Sequence, residues 1–320
     1  MRYAVTGGAG FIGSHLVEHL VAAGHEVTVL DDFSTGKRDN IAAWNGRIDC
    51  VEGSVVDLPT CRRAFEDADV VLHQAALASV PRSLQDPVAT HHANVTGTLN
   101  VLIAARDTGV GRVVYAASSS AYGNTVELPK HEEMVPRPLS PYGVSKLAGE
   151  GYLRAFHASF GVQVIALRYF NVFGPRQDPH SQYAAVVPRF ITAALADRPP
   201  SIFGDGEQTR DFTFVANVVH ANMLACTAPV EACGEAYNVG CGCRTTLNEL
   251  WRRIVELTHS TARARYEPTR GGDVHDSLAS LTLIRRMLGY EPMVDLEAGL
   301  RATVRWFSAK SESARHDAMV

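Results

Sequence analysis

The sequence predicts an α/β fold, a Rossmann-like doubly wound parallel sheet with a smaller mixed α/β lobe, and three observations carry that expectation. Short apolar runs recur at 3–5, 26–30, 48–51, 70–73, 112–117 and 162–167, with helical stretches between them. Alternation of this kind stacks helices on both faces of a parallel sheet. Glycines crowd the junction between the first run and the first helical stretch, and beyond residue 170 the alternation dissolves into loops rich in Asn, Gly and Pro. The expected division is a larger domain at 1–170 plus about 211–243, and a lobe at about 171–210 and 244–320. Within the larger part, 212–219 reads as a strand that returns to the sheet and is followed by a helix.

Along the chain, the strand at 2–6 runs straight into Gly7-Gly8-Ala9-Gly10-Phe11-Ile12-Gly13, and a helix is expected over 14–23. Glycines at such a turn let the backbone approach a pyrophosphate, which then rests on the unpaired N–H groups of the helix N-terminus. The second strand ends in Asp31-Asp32. A carboxylate there accepts hydrogen bonds from ribose hydroxyls and repels a 2′-phosphate, so NAD is expected rather than NADP. The clearest later helices span 86–108 and 141–160. Ligands of such sheets sit beyond the carboxyl ends of the strands, where the glycine loop, Asp31, His73-Gln74-Ala75-Ala76, Ser118 and Tyr169 all fall.

Tyr142 and Lys146 stand four apart at the start of the second long helix, after the serine triplet Ser118, Ser119 and Ser120. That spacing places both side chains on one helical face, where an ammonium can draw a phenol's pKa down from about 10. The expectation is a proton-transfer site.

Composition narrows the partners. A formal net charge of −4, from 30 basic and 34 acidic residues, offers no general attraction to nucleic acid or to an anionic membrane. No long apolar stretch and no basic leader precede the first strand, so a cytoplasmic small-molecule enzyme is expected. The six cysteines read as free thiols, mostly packed, because Cys241-Gly242-Cys243 lacks the two-residue gap of most zinc knuckles. His91 and His92 point about 100° apart on a helix, and no metal is expected.

Glycines 7, 10 and 13 with Tyr142, Lys146 and an upstream serine resemble the extended short-chain dehydrogenase/reductases. Ser79-Val80-Pro81-Arg82-Ser83, Arg168-Tyr169-Phe170-Asn171, the stretch from Gly204 to Asp211 and Gly272-Asp273-Val274 are similar to UDP-hexose 4-epimerases. The nearest likeness is to those acting on UDP-N-acetylglucosamine. The resemblance implies Tyr142 as base toward the sugar 4-hydroxyl, Lys146 holding its pKa down and meeting the nicotinamide ribose, and Ser118 as the hydroxyl bridge, with Ser119 the alternative. Ser120 is expected to satisfy backbone groups in the turn.

The same resemblance implies a cofactor site built from Gly7, Gly10, Phe11, Ile12, Gly13, Asp31 and Asp32, with Ser54, Val55, Gln74, Ala75, Ala76, Asn94 and Tyr169 around it. On the substrate side it implies Arg210 and Arg270 at the diphosphate and Asp273 at the uridine ribose. It adds Asn171, Ser79, Ser119, Gln177 and Val187 near the sugar nucleotide. Ser277 stands where glucose-restricted members carry a bulky tyrosine, leaving room for an N-acetyl group. A homodimer through the helices at 86–108 and 141–160 is also implied.

Related 4,6-dehydratases follow the bridging hydroxyl with Asp-Glu, whereas this chain has Ser119 and Ser120. The expected reaction is therefore interconversion of UDP-GlcNAc and UDP-GalNAc by transient oxidation at C4, with the UDP-Glc/UDP-Gal pair left open. A glucose-only epimerase, dehydratase or decarboxylase of the same scaffold is the alternative, and a non-catalytic NAD-binding regulator is the rival from another class. Ser54, Ala78 and Ser280 depart from the family pattern, at an adenine contact, near the cofactor phosphates and in the uridine loop respectively.

Overall fold

A computed structural model describes residues 1–179, 185–269 and 275–317. The first half contains β1 (Arg2–Thr6), α1 (Phe11–Ala22), β2 (Glu26–Asp31), β3 (Asp49–Glu52), α2 (Leu58–Phe65), β4 (Val70–His73) and α3 (Val80–Gln85). Next come α4 (Pro87–His91), α5 (Gly97–Asp107), β5 (Arg112–Ser118), α6 (Pro141–Phe160) and β6 (Gln163–Tyr169). The remainder holds β7 (Val172–Phe173), α7 (Val186–Leu195), β8 (Ser201–Phe203), β9 (Thr209–Arg210), β10 (Thr213–Phe214) and α8 (Val215–Thr227). The chain then forms β11 (Ala236–Val239), β12 (Thr245–Thr246), α9 (Leu247–Thr258), β13 (Arg265–Glu267), α10 (Thr282–Leu288) and α11 (Leu296–Asp317).

Seven strands form one sheet in the order β11-β6-β5-β4-β1-β2-β3, and every pairing in it is parallel. The central strands are buried on both faces, which explains their near-continuous apolar runs. Alternate residues serve opposite layers. Val5, Val29, Leu72, Val114 and Ile165 pack with Leu16 and Leu20 of α1 and Val218 and Ala225 of α8. Ala4, Leu30, Val71, Val113 and Tyr115 pack with Phe65 of α2, Leu102 of α5 and Leu153 and Phe156 of α6. Each fully buried Leu or Phe contributes about 1.5–3 kcal/mol of transfer free energy, so these two layers dominate the stability of the larger part. The smaller lobe has its own core, in which Phe190, Ile191, Leu250, Trp251, Ile254, Leu300 and Phe307 join α7, α9 and α11.

Two elements differ from the sequence expectation. The run at 212–219 is not a returning strand: only Thr213–Phe214 is extended, and Val215 opens α8. β-branched content favours a strand, but burial decides otherwise, because Val215, Val218, Val219 and Asn222 turn one helical face inward. The Asn217 amide donates to the Val294 carbonyl and accepts from the Met293 N–H, and the Asn222 amide donates to the Val218 carbonyl. The chain re-enters the sheet later, through β11 beside β6. The second difference is a π-turn at His92–Thr96 within the helical run from Pro87 to Asp107, at the point where Asn94 is drawn to the Leu77 backbone.

The helix α6 has the boundaries expected of it, and local chemistry explains both ends. Ser140 caps it by accepting from the Gly143 N–H at 3.1 Å, Pro141 occupies the first turn, and Gly161 ends it in the left-handed conformation. The cysteines are all unbridged, with Cys50 and Cys243 exposed. Among the described residues, no helix is long and apolar enough to cross a membrane.

α6 approaches β5 closely at Gly149, where an added Cβ would lie 2.3 Å from the Tyr115 hydroxyl. Gly149→Ala therefore forces the helix off the sheet. The expected outcome is a loss of about 1–3 kcal/mol, read as a lower urea midpoint with unchanged m-value. An unchanged midpoint would show that the helix and sheet can separate at no cost.

Candidate active site

The cofactor side of the site is made by the turn from β1 into α1. The Gly7 N–H donates to the Leu30 carbonyl at 2.7 Å and the Gly10 N–H to the Gly7 carbonyl at 3.0 Å, folding the loop back on itself. A Cβ on Gly13 would lie 2.1 Å from that same Gly7 oxygen, so only glycine lets α1 start this close to the strand. Gly10 occupies the N-cap of α1 without a capping side chain, and the first turn carries no acid. Its N–H groups thus remain available to an anion. Phe11 and Ile12 are half-buried at that terminus.

Asp31 is 6% exposed at the end of β2. Its carboxylate accepts from the Ala9 and Phe33 N–H groups, each at 2.8 Å, so it also braces the glycine loop. Burial pushes its pKa up, and these two N–H donors oppose the shift. Asp32 accepts from the Ser34 N–H and hydroxyl. Ser54 and Val55 follow β3, where Ser54 accepts a long 3.4 Å bond from the Val56 N–H. Gln74, Ala75 and Ala76 line up beyond β4, and the Ala75 N–H donates to Thr6 Oγ1 at 3.2 Å. The Tyr169 hydroxyl donates to Gln74 Oε1 at 3.3 Å and accepts from Asn222 at 2.8 Å.

Asn94 is fully buried, and its amide bonds to both backbone groups of Leu77 and to Ser145 Oγ at 2.9 Å. Its visible task is to tie the wall after β4 to α6.

Where β5 ends and α6 begins, the Ser118 hydroxyl lies near the Tyr142 phenol and opposes the upward push of burial on its pKa. Ser118 Oγ accepts from the Ser120 hydroxyl at 2.8 Å and from the Ser120 N–H at 3.2 Å. Those acceptances leave the Ser118 proton to be donated to the phenol oxygen. Ser120 was expected to serve backbone groups, but its hydroxyl is spent on Ser118, because the short helical turn folds it back over that side chain. Ser119 is half-buried in the same turn.

Lys146 lies one turn below Tyr142 and donates to the Ala116 carbonyl at 2.7 Å, with its ammonium 4.9 Å from the centre of the Tyr115 ring. Burial pushes the Tyr142 phenol up, opposed by the neighbouring Ser118 hydroxyl, and pulls Lys146 down to about 7, with Glu150 opposing.

On the side of the smaller lobe is a cavity of about 300 Å³ lined by Asn171, Val187, Phe190, Phe203, Gln208 and Arg210, among others. Arg210 Nη1 donates to the Thr209 and His275 carbonyls, each at 2.9 Å, which holds the guanidinium at the cavity wall. Asn171 donates to the Asp211 carbonyl at 3.3 Å and reaches Ser277 Oγ at 3.5 Å, so the structure brings together two residues 106 apart in sequence. Ser277 is 8% exposed. Gln177 donates to the Val172 carbonyl at 3.2 Å, while its Oε1 is buried with no partner among the described residues. Ser79 is spent on capping α3 through the Arg82 N–H. Arg270 and Asp273 lie outside the described residues.

A model of the NAD-dependent epimerase/dehydratase family matches residues 3–240. The chain belongs to that family. It is 40% identical over 316 residues to a UDP-glucose 4-epimerase of Mycolicibacterium smegmatis, covering 98% of this chain and all of the relative. Among solved structures it is similar to a Thermotoga maritima UDP-glucose 4-epimerase with UDP-glucose, with TM-score 0.93 and 39% identity over 97% of this chain and 100% of the other. It is also similar to a UDP-N-acetylglucosamine 4-epimerase from Methanobrevibacter ruminantium in complex with UDP-N-acetylmuramic acid, with TM-score 0.92 and 38% identity over 97% and 98% of the two chains.

The residues present fit the family's NAD. The uncapped α1 terminus suits a pyrophosphate and the Asp31 carboxylate suits a ribose diol. Residues that motif reading missed include Phe190 and Phe203 of the cavity wall, which carry no local pattern of their own. His73, which the sequence placed at a strand end, is fully buried. That imidazole joins Thr6 Oγ1 at 2.7 Å and Thr98 Oγ1 at 3.0 Å beneath the loop, and burial pushes its pKa down to about 3, so it is neutral at physiological pH. Gly13→Ala is expected to yield a protein that purifies without NAD, measured by the absorbance and chromatography of nucleotide released on denaturation. Full NAD occupancy in that variant would refute the steric role of the loop.

Proposed function

We propose that this chain is a UDP-sugar 4-epimerase, an isomerase, that interconverts UDP-N-acetylglucosamine and UDP-N-acetylgalactosamine. The observation that carries the reading is the Ser118 hydroxyl beside the Tyr142 phenol, one turn from Lys146, with serines at 119 and 120 where an elimination would need an acid-base pair. The M. smegmatis and T. maritima relatives are UDP-glucose 4-epimerases, and the M. ruminantium relative acts on the N-acetylated sugar.

In this reading Tyr142 takes the proton from the sugar 4-hydroxyl through Ser118 and returns it after C4 has inverted. NAD, held by the glycine loop and Asp31, would supply the hydride acceptor and a positive charge. Because burial holds the Tyr142 phenol neutral, it becomes a base only when positive charge is gathered around it, which ties proton transfer to an assembled site. Lys146 contributes its ammonium and orients the nicotinamide ribose. Arg210 meets the diphosphate at the cavity wall, by the bidentate geometry that suits arginine to phosphate. Arg270 and Asp273 take the second phosphate contact and the uridine ribose on the strength of the family pattern. Asn171 with Ser277 borders the sugar, and the small Ser277 side chain leaves space for the 2-acetamido group.

The test is proton NMR of UDP-GlcNAc incubated with the purified protein, without added NAD. UDP-GalNAc should accumulate to an equilibrium mixture, and Tyr142→Phe should lower kcat by about 10²–10⁴. Ser277→Tyr, in the same assay, should impair the N-acetylated pair far more than the UDP-Glc/UDP-Gal pair. A 4-keto-6-deoxy product would sink the epimerase reading, and equal losses for both sugar pairs in Ser277→Tyr would sink the assignment of the gate.

We also infer a homodimer through α6 and its neighbours. Val144, Tyr152 and Phe160 on α6, and Leu84 and Val88 beside it, are large apolar side chains left exposed on the single chain. Sedimentation equilibrium should give twice the 34.6 kDa chain mass, and a monomer at micromolar concentration would refute it.

A further inference from the structure

We infer that Glu150, clamped by Arg168, is a positioning residue that acts through Lys146 and keeps it charged. Glu150 follows Lys146 by four residues and so shares its face of α6. Arg168, on β6, grips it in a two-pronged pair, Nε to Oε1 at 2.9 Å and Nη2 to Oε2 at 2.7 Å, with the two side chains only 5% and 9% exposed. The remaining Arg168 prong donates to the Tyr122 hydroxyl at 2.8 Å, and that hydroxyl donates to Asn238 Oδ1 at 2.7 Å on β11. The carboxylate is thereby fixed in direction from three strands and helices at once.

A buried ion pair of this kind is a weak source of stability, since desolvation cancels much of its attraction. Its location is informative. Around Lys146, β5 presents the Ala116 carbonyl and the Tyr115 ring, β4 presents the neutral His73, and α6 itself presents the Tyr142 phenol. None of these groups carries negative charge, while burial favours loss of the lysine proton. Glu150 is the carboxylate that opposes that loss, and Arg168 limits how strongly it does so. The pair therefore sets the charge of Lys146 between two extremes.

This inference rests on the proposed role of Lys146 as an ammonium beside Tyr142, but its readout is the ionisation of that lysine, observed without any sugar. The chain has four lysines, at 37, 130, 146 and 310. In the enzyme as purified, labelled with [ε-¹³C]lysine, the Lys146 resonance can be assigned by its loss in Lys146→Met. Glu150→Gln should move its titration midpoint down by about one pH unit, a tenfold change in the protonation equilibrium. Arg168→Gln, which leaves Glu150 unopposed, should move it up. A purely structural role would disturb both variants in the same direction. An unmoved midpoint in Glu150→Gln, or shifts of the same sign in both, overturns the proposal. Should neither single variant fold, Glu150→Gln with Arg168→Gln removes both buried charges. A midpoint below wild type in that double variant sustains the proposal, and one at or above wild type overturns it. Failure to convert any UDP-sugar, with these titrations as expected, counts against the proposed reaction alone.

Discussion

The close seating of α6 on β5 is the constraint on which the site depends. At Gly149 the helix comes within van der Waals range of the Tyr115 hydroxyl, and one turn earlier the Lys146 ammonium reaches the carbonyl of Ala116. Because β5 ends at Ser118 and α6 begins at Pro141, this single contact sets the distance between a strand-end hydroxyl and a helix-start phenol. A larger side chain at 149 would separate them. The rest of the sheet fixes β5 in place, through the paired register of Ser118 with Tyr169 on one side and His73 with Tyr115 on the other.

The electrostatics of the cleft follow from the same dense packing. Burial raises the Tyr142 phenol, lowers Lys146 to about 7 and holds His73 neutral. Both groups are therefore sensitive to charge brought near them. The Glu150 and Arg168 pair lies one further turn along the same helix, joining the proton-transfer residues to Tyr122 and β11. A buried ion pair is costly to make, and a location beside a titrating lysine gives it a purpose other than stability.

The smaller lobe contributes by juxtaposition. Its own core closes around α7, α9 and α11, while its inner wall carries Arg210, Gln208 and Phe203 toward the sheet ends. Asp211 links the parts: its carboxylate accepts from the N–H groups of Cys241, Gly242 and Ala279 and is fully buried. Its burial pushes the carboxyl up to about 6, against the pull of those donors. The backbone segments on which Asn171 and Ser277 sit are thus held by one acidic hub, which explains how residues so distant in sequence share one wall.

Much of this was legible in the chain. The alternating apolar runs, the glycine loop, the acidic strand end and the spacing of Tyr142 and Lys146 are local patterns, and the family match and the seven-stranded parallel sheet agree with them. α6 was readable to the residue, since Ser140, Pro141 and Gly161 encode its ends. Less legible were features decided by burial. The run at 212–219 has strand composition, yet it becomes mostly helix because one of its faces has a core to join. The four-residue spacing of Tyr142 and Lys146 shows a shared helical face, but not that burial pushes the phenol up and the lysine down. Periodicity and motif spacing record which residues share an element and a face. Only the tertiary structure decides how far each group lies from water and which distant partner completes it, and those two quantities govern ionisation in the cleft.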